Sequence, residues 1–122
     1  MSADFTPNYS DILAGNAEYA ANFHDPELGV EPPRRLVVIA RVDSRTDLFA
    51  RLGLANGESH IIRNAGGVIT DDVIRSLCLS QRKLGTREVI LVHHTDCGLQ
   101  TVTEDAFKAE LEAELGIKPW WA

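Results

Sequence analysis

The sequence has little of what disulfide scaffolds and membrane proteins require. Cysteine occurs twice in 122 residues, so thiol or metal chemistry is expected rather than a structural disulfide, and we treat both cysteines as reduced. The longest purely aliphatic run, Leu36 to Ala40, is far too short to cross a bilayer, and the N-terminus carries no basic, apolar leader. These absences predict a protein without a membrane partner, with the cytoplasm as its default location.

Positive charge is also scarce. Twelve lysine and arginine residues stand against eighteen aspartate and glutamate residues, which gives a formal charge of −6. Because proteins that bind nucleic acid concentrate positive charge against the phosphate backbone, no nucleic-acid partner is expected. The hydrophobic and charged contents are ordinary for a folded protein, and at this length one core is enough. We therefore predict a single domain over residues 1–122.

Three short aliphatic segments predict the strands of an α/β fold. They are Leu36 to Ala40, Ser59 to Ile62 and Glu88 to His94. The first is aliphatic at every position, which is typical of a strand buried on both faces of a parallel sheet. Helical patterns separate the segments, so the prediction is a mostly parallel β-sheet flanked by helices.

Three helices are predicted around this sheet, each from the spacing of its apolar residues and from flanking capping residues. Their spans are Tyr9 to Phe23, Thr70 to Lys83, and Thr103 to the glycine at 116, with Ser10 or Asp11, Thr70 and Thr103 as N-terminal caps and Gly85 and Gly116 at the C-terminal ends. Cys78 lies in the second helix beside two leucines. It is predicted to be a small core residue and not a metal ligand.

Polar residues follow the first and third predicted strands, where open parallel sheets bind ligands. Asp43 and Arg45 are two apart, so they point to the same side of an extended segment and can pair. His94 and Cys97 are three apart, a spacing that allows both to reach one metal ion. Taken alone, the first pattern is equally typical of a surface ion pair. The second is more often an ordinary turn with a buried cysteine.

Several motifs in series resemble the β class of carbonic anhydrases. In the order and spacing of that family, the chain carries Asp43-x-Arg45 after an aliphatic strand, Ile62-Arg63-Asn64-Ala65-Gly66-Gly67, Asp71-Asp72-Val73-Ile74-Arg75-Ser76-Leu77 and His93-His94-Thr95-Asp96-Cys97-Gly98. The resemblance covers most of the chain from Leu36 to about Pro119. It implies a β-carbonic-anhydrase-like fold, with CO2 and bicarbonate as substrates of a reversible hydration that also releases a proton.

The resemblance also implies a zinc cofactor. In that family a Cys-x-Asp-x-Arg motif and a His-x-x-Cys motif bind one zinc ion, with water or the motif aspartate as the fourth ligand. Carried over, His94, Cys97 and Asp43 are the metal ligands of this chain. Asp43 and Arg45 become the catalytic pair, in which the arginine orients the aspartate toward zinc-bound hydroxide. The position of the first cysteine is held by Arg41.

Arg41 changes what the resemblance implies. A guanidinium carries a permanent positive charge and has no lone pair suited to zinc, so zinc binding and CO2 hydration are expected to be impaired. The alternative is a catalytically inactive, metal-free relative, in which Arg41 pairs with Asp43 or with the Cys97 thiolate. In such a relative Arg41 and Arg45 form a pocket for bicarbonate or phosphate, or the fold serves only as an oligomer subunit. That anion pocket is predicted to contain Arg41, Asn64, Ala65 and Gly66.

The resemblance finally bears on assembly. Members of the family usually continue with another helix and strand, so this chain is C-terminally short by comparison. Its third strand is then expected near a sheet edge, and Trp120 and Trp121 have no evident core to join. We therefore predict a homodimer or a higher homo-oligomer.

Overall fold

The computed structural model describes residues 5–95 and 103–120. Its elements in chain order are α1 (Ser10–Ala21), β1 (Leu36–Arg41), α2 (Leu48–Leu52), β2 (Ser59–Asn64), a 3-10 turn (Ala65–Gly67), α3 (Asp71–Leu84), β3 (Glu88–Val92) and α4 (Glu104–Leu115). No helix in these two ranges is long and apolar enough to span a membrane. The second strand is longer than predicted by two residues, and the third ends two residues earlier, at Val92.

The strands form one parallel sheet in the order β2-β1-β3. Ala40 of β1 lies opposite Arg63 of β2 and Val92 of β3. The predicted α/β class with a mostly parallel sheet is therefore confirmed. Because all three strands run in the same direction, their C-terminal ends lie together at one edge of the sheet.

The core is built around β1, whose side chains alternate between the two faces of the sheet. On one face, Val38 and Ala40 pack in a cluster with Leu48 of α2. On the other face, Val37 and Ile39 pack against Val73 of α3. The all-aliphatic sequence of β1 follows from this position, since a central strand covered on both faces has no side facing water.

Helix α1 differs from the prediction at its start. Its N-cap is Tyr9, which makes no capping bond through its side chain. The predicted cap Ser10 is instead the first helical residue, and its backbone N–H donates to Asn8 Oδ1 at 3.1 Å. Asn8 thus supplies the side-chain acceptor that was expected from Ser10 or Asp11, and that prediction is wrong. No residue of α1 is buried.

Helix α3 has the predicted caps. Thr70 Oγ1 accepts from the backbone N–H of Val73 at 3.4 Å, and Gly85 ends the helix with φ 78°, a conformation that glycine adopts without strain. The prediction that Cys78 is a core residue is wrong, because its side chain is exposed. The buried residues of α3 are Val73 and Ser80, and position 78 lies two residues before Ser80, about 200° around the helix.

One helix was not predicted. Helix α2 has only five residues, and Asp47 caps it by accepting from the backbone N–H of Ala50 at 3.2 Å. Five residues are too few to show a helical period in the sequence. Helix α4 begins as predicted, since Thr103 Oγ1 accepts from the N–H of Ala106 at 3.2 Å.

Candidate functional site

The C-terminal ends of β1 and β3 bring Asp43, Arg45 and His94 together. The Arg45 Nη2 donates to Asp43 Oδ2 at 2.7 Å, and Arg45 Nε donates to Asp43 Oδ1 at 3.0 Å. The backbone N–H of Arg45 adds a third bond to Oδ1 at 2.9 Å. The predicted pairing of these two side chains is therefore confirmed, in the bidentate geometry that arginine makes with carboxylates. We call Arg41, Asp43, Arg45 and His94 the strand-end site.

The pairing sets the charge of Asp43. The guanidinium of Arg45, followed by its backbone N–H, holds the pKa of the Asp43 carboxyl well below its usual range. These contacts outweigh the smaller, opposing effect of desolvation. Asp43 is therefore an anion at neutral pH.

This charge state leads to a measurable pH dependence. Since the folded-state pKa of Asp43 lies below the unfolded value of about 3.9, its contribution to stability is complete above that value. It is lost only as the pH falls through the lower, folded-state pKa. We expect the Asp43 carboxyl carbon in a 13C NMR titration to keep its ionised shift from neutral pH to below about 4. In Arg45→Gln it should titrate at higher pH. An unchanged midpoint in that variant would contradict the assigned cause.

His94 directs one ring nitrogen into the site. Its Nδ1 lies 2.9 Å from the carbonyl oxygen of Thr95, which can only accept, so we assign the proton of the neutral ring to Nδ1. Nε2 then carries the lone pair. In the described part of the chain this nitrogen is buried and makes no hydrogen bond, and it lies 3.2 Å from Asp43 Oδ2. A buried nitrogen of this kind is suited to a proton donor or a metal ion.

Arg41 does not pair as predicted. The sequence favoured a charge-assisted pair with Asp43 or Cys97, but both oxygens of Asp43 are occupied by Arg45, and Cys97 lies outside the described residues. Arg41 Nε is buried and has no hydrogen-bond partner. The backbone of Gly67 packs closely against Arg41, because a Cβ at position 67 would lie only 3.1 Å from Arg41 Cγ. The pair with Asp43 is therefore a wrong prediction, and the guanidinium is left uncompensated among the described residues.

The loop predicted to complete the anion pocket is closed by Asn64. The side-chain Nδ2 donates to the Val68 carbonyl at 2.8 Å, and Oδ1 accepts from the Val68 N–H at 3.0 Å. Between them Gly66 has φ 85°, a left-handed conformation that favours glycine. Asn64 therefore shapes the turn over Ala65 and Gly66. The same turn is held at Gly67, whose carbonyl oxygen lies 3.1 Å from His93 Nε2.

Sequence reasoning missed the part played by Arg63. From β2 its guanidinium reaches the segment after β1 and donates to three backbone carbonyls, those of Arg41 at 2.9 Å, Asp43 at 2.6 Å and Thr46 at 2.9 Å. It thereby fixes the backbone that carries Asp43 and Arg45. The sequence did contain a sign of this role. Arg63 directly follows two isoleucines in a strand, and a charged residue at such a position needs hydrogen-bond partners.

The described side chains do not supply the donor set of the implied zinc ion. A zinc site in a protein needs three or four nitrogen, sulfur or oxygen ligands. His94 Nε2 is suited to this, but Asp43 has both oxygens bound to Arg45, and Arg41 places a cation where the family has a thiolate. No group of three or more potential ligands exists in residues 5–95 and 103–120. Zinc therefore does not fit the described part of the site.

The site thus lies at the end of a parallel sheet, where Asp43 pairs with Arg45 and His94 lies beside them. A family model described as carbonic anhydrase matches residues 36–121. The chain belongs to the β-carbonic anhydrase family.

Individual relatives agree with this class. The chain is 53% identical to β-carbonic anhydrase 1 of Mycobacterium tuberculosis over 112 residues, which covers 92% of this chain and 68% of that protein. Among solved structures, the carbonic anhydrase of Streptococcus mutans superposes with a TM-score of 0.82 at 41% identity, over 93% of this chain and 69% of the other. A carbon disulfide hydrolase of Acidianus sp. is 43% identical over 91 residues, 75% of this chain and 44% of that protein.

Proposed function

We propose that the strand-end site binds a small oxyanion, bicarbonate in the first place, and that Arg41 strongly impairs zinc-dependent CO2 hydration. The observation that carries this proposal is the uncompensated guanidinium of Arg41 at the position of a family metal ligand. The reaction of the family, reversible hydration of CO2 to bicarbonate and a proton, is then weak or absent. Bicarbonate is still bound, whereas the binding of the catalytic zinc is weakened.

The charges of the site support anion binding. Asp43 is neutralised by Arg45 at 2.7 Å, so this pair contributes no net charge. Arg63 uses three of its five N–H groups on backbone carbonyls, and these bonds hold it against the segment after β1. Among the described residues, Arg41 is then the cation of the strand-end site without a partner, and its Nε is a buried donor without an acceptor. An unpaired buried donor costs free energy, and a bound oxyanion would remove that cost.

Bicarbonate titration tests the proposal. We expect isothermal titration calorimetry of the purified chain to show bicarbonate binding that is lost, or weakened at least about tenfold, in Arg41→Gln. The control is Arg75→Gln, which removes an exposed arginine that lies 3.9 Å from Asp72 and should leave binding unchanged. Equal affinities in both variants and the unaltered chain would show that Arg41 does not hold the anion.

We further propose that the chain assembles as a homo-oligomer. Strand β3 is at a sheet edge, and its Val89, Ile90 and Leu91 are all exposed. A free aliphatic edge is a template for pairing with another chain, and Trp120, which is 92% exposed, adds apolar surface. At micromolar concentration, sedimentation equilibrium should give at least twice the mass of one chain. The mass of a single chain would contradict this assembly.

A further inference from the structure

A small cavity opens beside the strand-end site, on the side of α2. It is open to solvent, has a volume of about 250 Å3 and is lined by Arg45, Thr46, Arg51, His94 and Thr95. Two guanidinium groups and an imidazole belong to this lining, and none of its described residues carries a carboxylate. Since one water molecule takes about 30 Å3, the cavity has room for an ion of the size of bicarbonate together with several waters.

Arg51 carries the uncompensated charge of this cavity. Arg45 is already bound to Asp43. Arg51, in the last turn of α2, makes no side-chain hydrogen bond or ion pair among the described residues. Asp47, four residues earlier, accepts from the backbone N–H of Ala50, and no ion pair joins it to Arg51 in the described structure. The cavity therefore has one cationic group that is available to a ligand from outside.

The position of Arg51 is fixed by its helix. Leu48 anchors α2 in the core and is only 2% exposed, and Gly53 ends the helix in the left-handed conformation with φ 67°. The segment at Thr46, just before α2, is held by Arg63, which donates to the Thr46 carbonyl at 2.9 Å. Packing and hydrogen bonds therefore fix the backbone around the cavity. The side chain of Arg51 extends from α2 into its lining.

We propose that Arg51 is a second anion-binding residue, which holds a small planar oxyanion of the carboxylate or bicarbonate type at the mouth of the strand-end site. A guanidinium binds two oxygens of such an ion in parallel. This inference rests on the anion-binding function proposed above, and it assigns a role to a residue outside the motifs shared with the family. Arg51 binds the ion from the side of α2, whereas Arg41 lies at the end of β1.

The test compares two arginine variants of equal charge change. In Arg51→Gln we expect bicarbonate affinity, measured by calorimetry at constant ionic strength, to fall about fivefold or more. The control Arg82→Gln removes an exposed arginine in the last turn of α3, so that any effect of net charge alone appears in both. Arg51→Lys keeps the charge without the planar fork and should give an intermediate affinity. Both arginines are exposed, so thermal melting should be unchanged.

The outcomes separate this inference from the function on which it rests. Affinity lowered in Arg51→Gln but not in Arg82→Gln supports the assignment. Equal affinities in these two variants overturn it, even if Arg41→Gln abolishes binding and so leaves the proposed function standing. If Arg51→Gln weakens binding and Arg41→Gln does not, the role of Arg41 fails and that of Arg51 holds. Absence of bicarbonate binding by the unaltered chain overturns both.

Discussion

Arg41→Cys is expected to raise the zinc content of the purified protein from well below one to about one ion per chain. The substitution supplies a thiolate at the position that Arg41 holds and completes, with His94 and Cys97, the ligand set of the family. It also removes a repulsive charge. A unit charge about 4 Å from another costs on the order of 4 kcal/mol at an effective dielectric near 20, and a divalent ion doubles this. Inductively coupled plasma mass spectrometry measures the metal content.

Two further variants separate the causes of this gain. Arg41→Ser removes the charge without supplying a thiolate, so its zinc content should lie between those of the unaltered chain and Arg41→Cys. Arg82→Cys adds a thiol at an exposed position of α3, and the zinc content of this variant should not rise. CO2 hydration measured by stopped flow should rise together with zinc. A folded Arg41→Cys protein that remains without zinc would show that the geometry of the site, and not the ligand at position 41, prevents binding.

Arg63→Ala is expected to be strongly destabilising. The substitution leaves three backbone carbonyls without the guanidinium that binds them at 2.6 to 2.9 Å. Hydrogen bonds to a charged group contribute about 1.5–3 kcal/mol each, and their losses are not additive. We therefore expect the free energy of unfolding to fall by about 3–5 kcal/mol, with a decrease of roughly 10–20 °C in the melting temperature. Thermal and urea denaturation followed by circular dichroism measure both.

The matched control is Arg75→Ala, because Arg75 is exposed and lies 3.9 Å from the exposed Asp72. That substitution should cost no more than about 0.5 kcal/mol. Arg63→Lys should recover only part of the loss, since one ammonium group cannot reach three carbonyls in the geometry of a guanidinium. If Arg63→Ala melts within a few degrees of Arg75→Ala, water replaces the three bonds and Arg63 does not hold the segment that carries Asp43.

The sequence alone determined the features that depend on near neighbours. Leu36 to Ala40 is aliphatic at every position, which indicated a strand covered on both faces. The caps Thr70 and Gly85 act within a few residues of themselves, and Asp43 pairs with Arg45 only two positions away. The order of the motifs was sufficient to indicate the family, because several short patterns had to occur in series. Each of these signals is contained in a few consecutive residues or in their order.

The tertiary structure decided which partner each charged side chain takes. Arg63 reaches its carbonyls only because β2 lies beside β1 in the register that places it opposite Ala40. Arg41 was expected to compete for Asp43, and it is left without that partner because Arg45 satisfies both carboxylate oxygens. Arg51 lies on a five-residue helix, which is too short to show a helical period of apolar residues in the sequence. A hydrogen bond requires two groups within about 3 Å, and for residues far apart in the chain only the folded arrangement of the strands determines that distance.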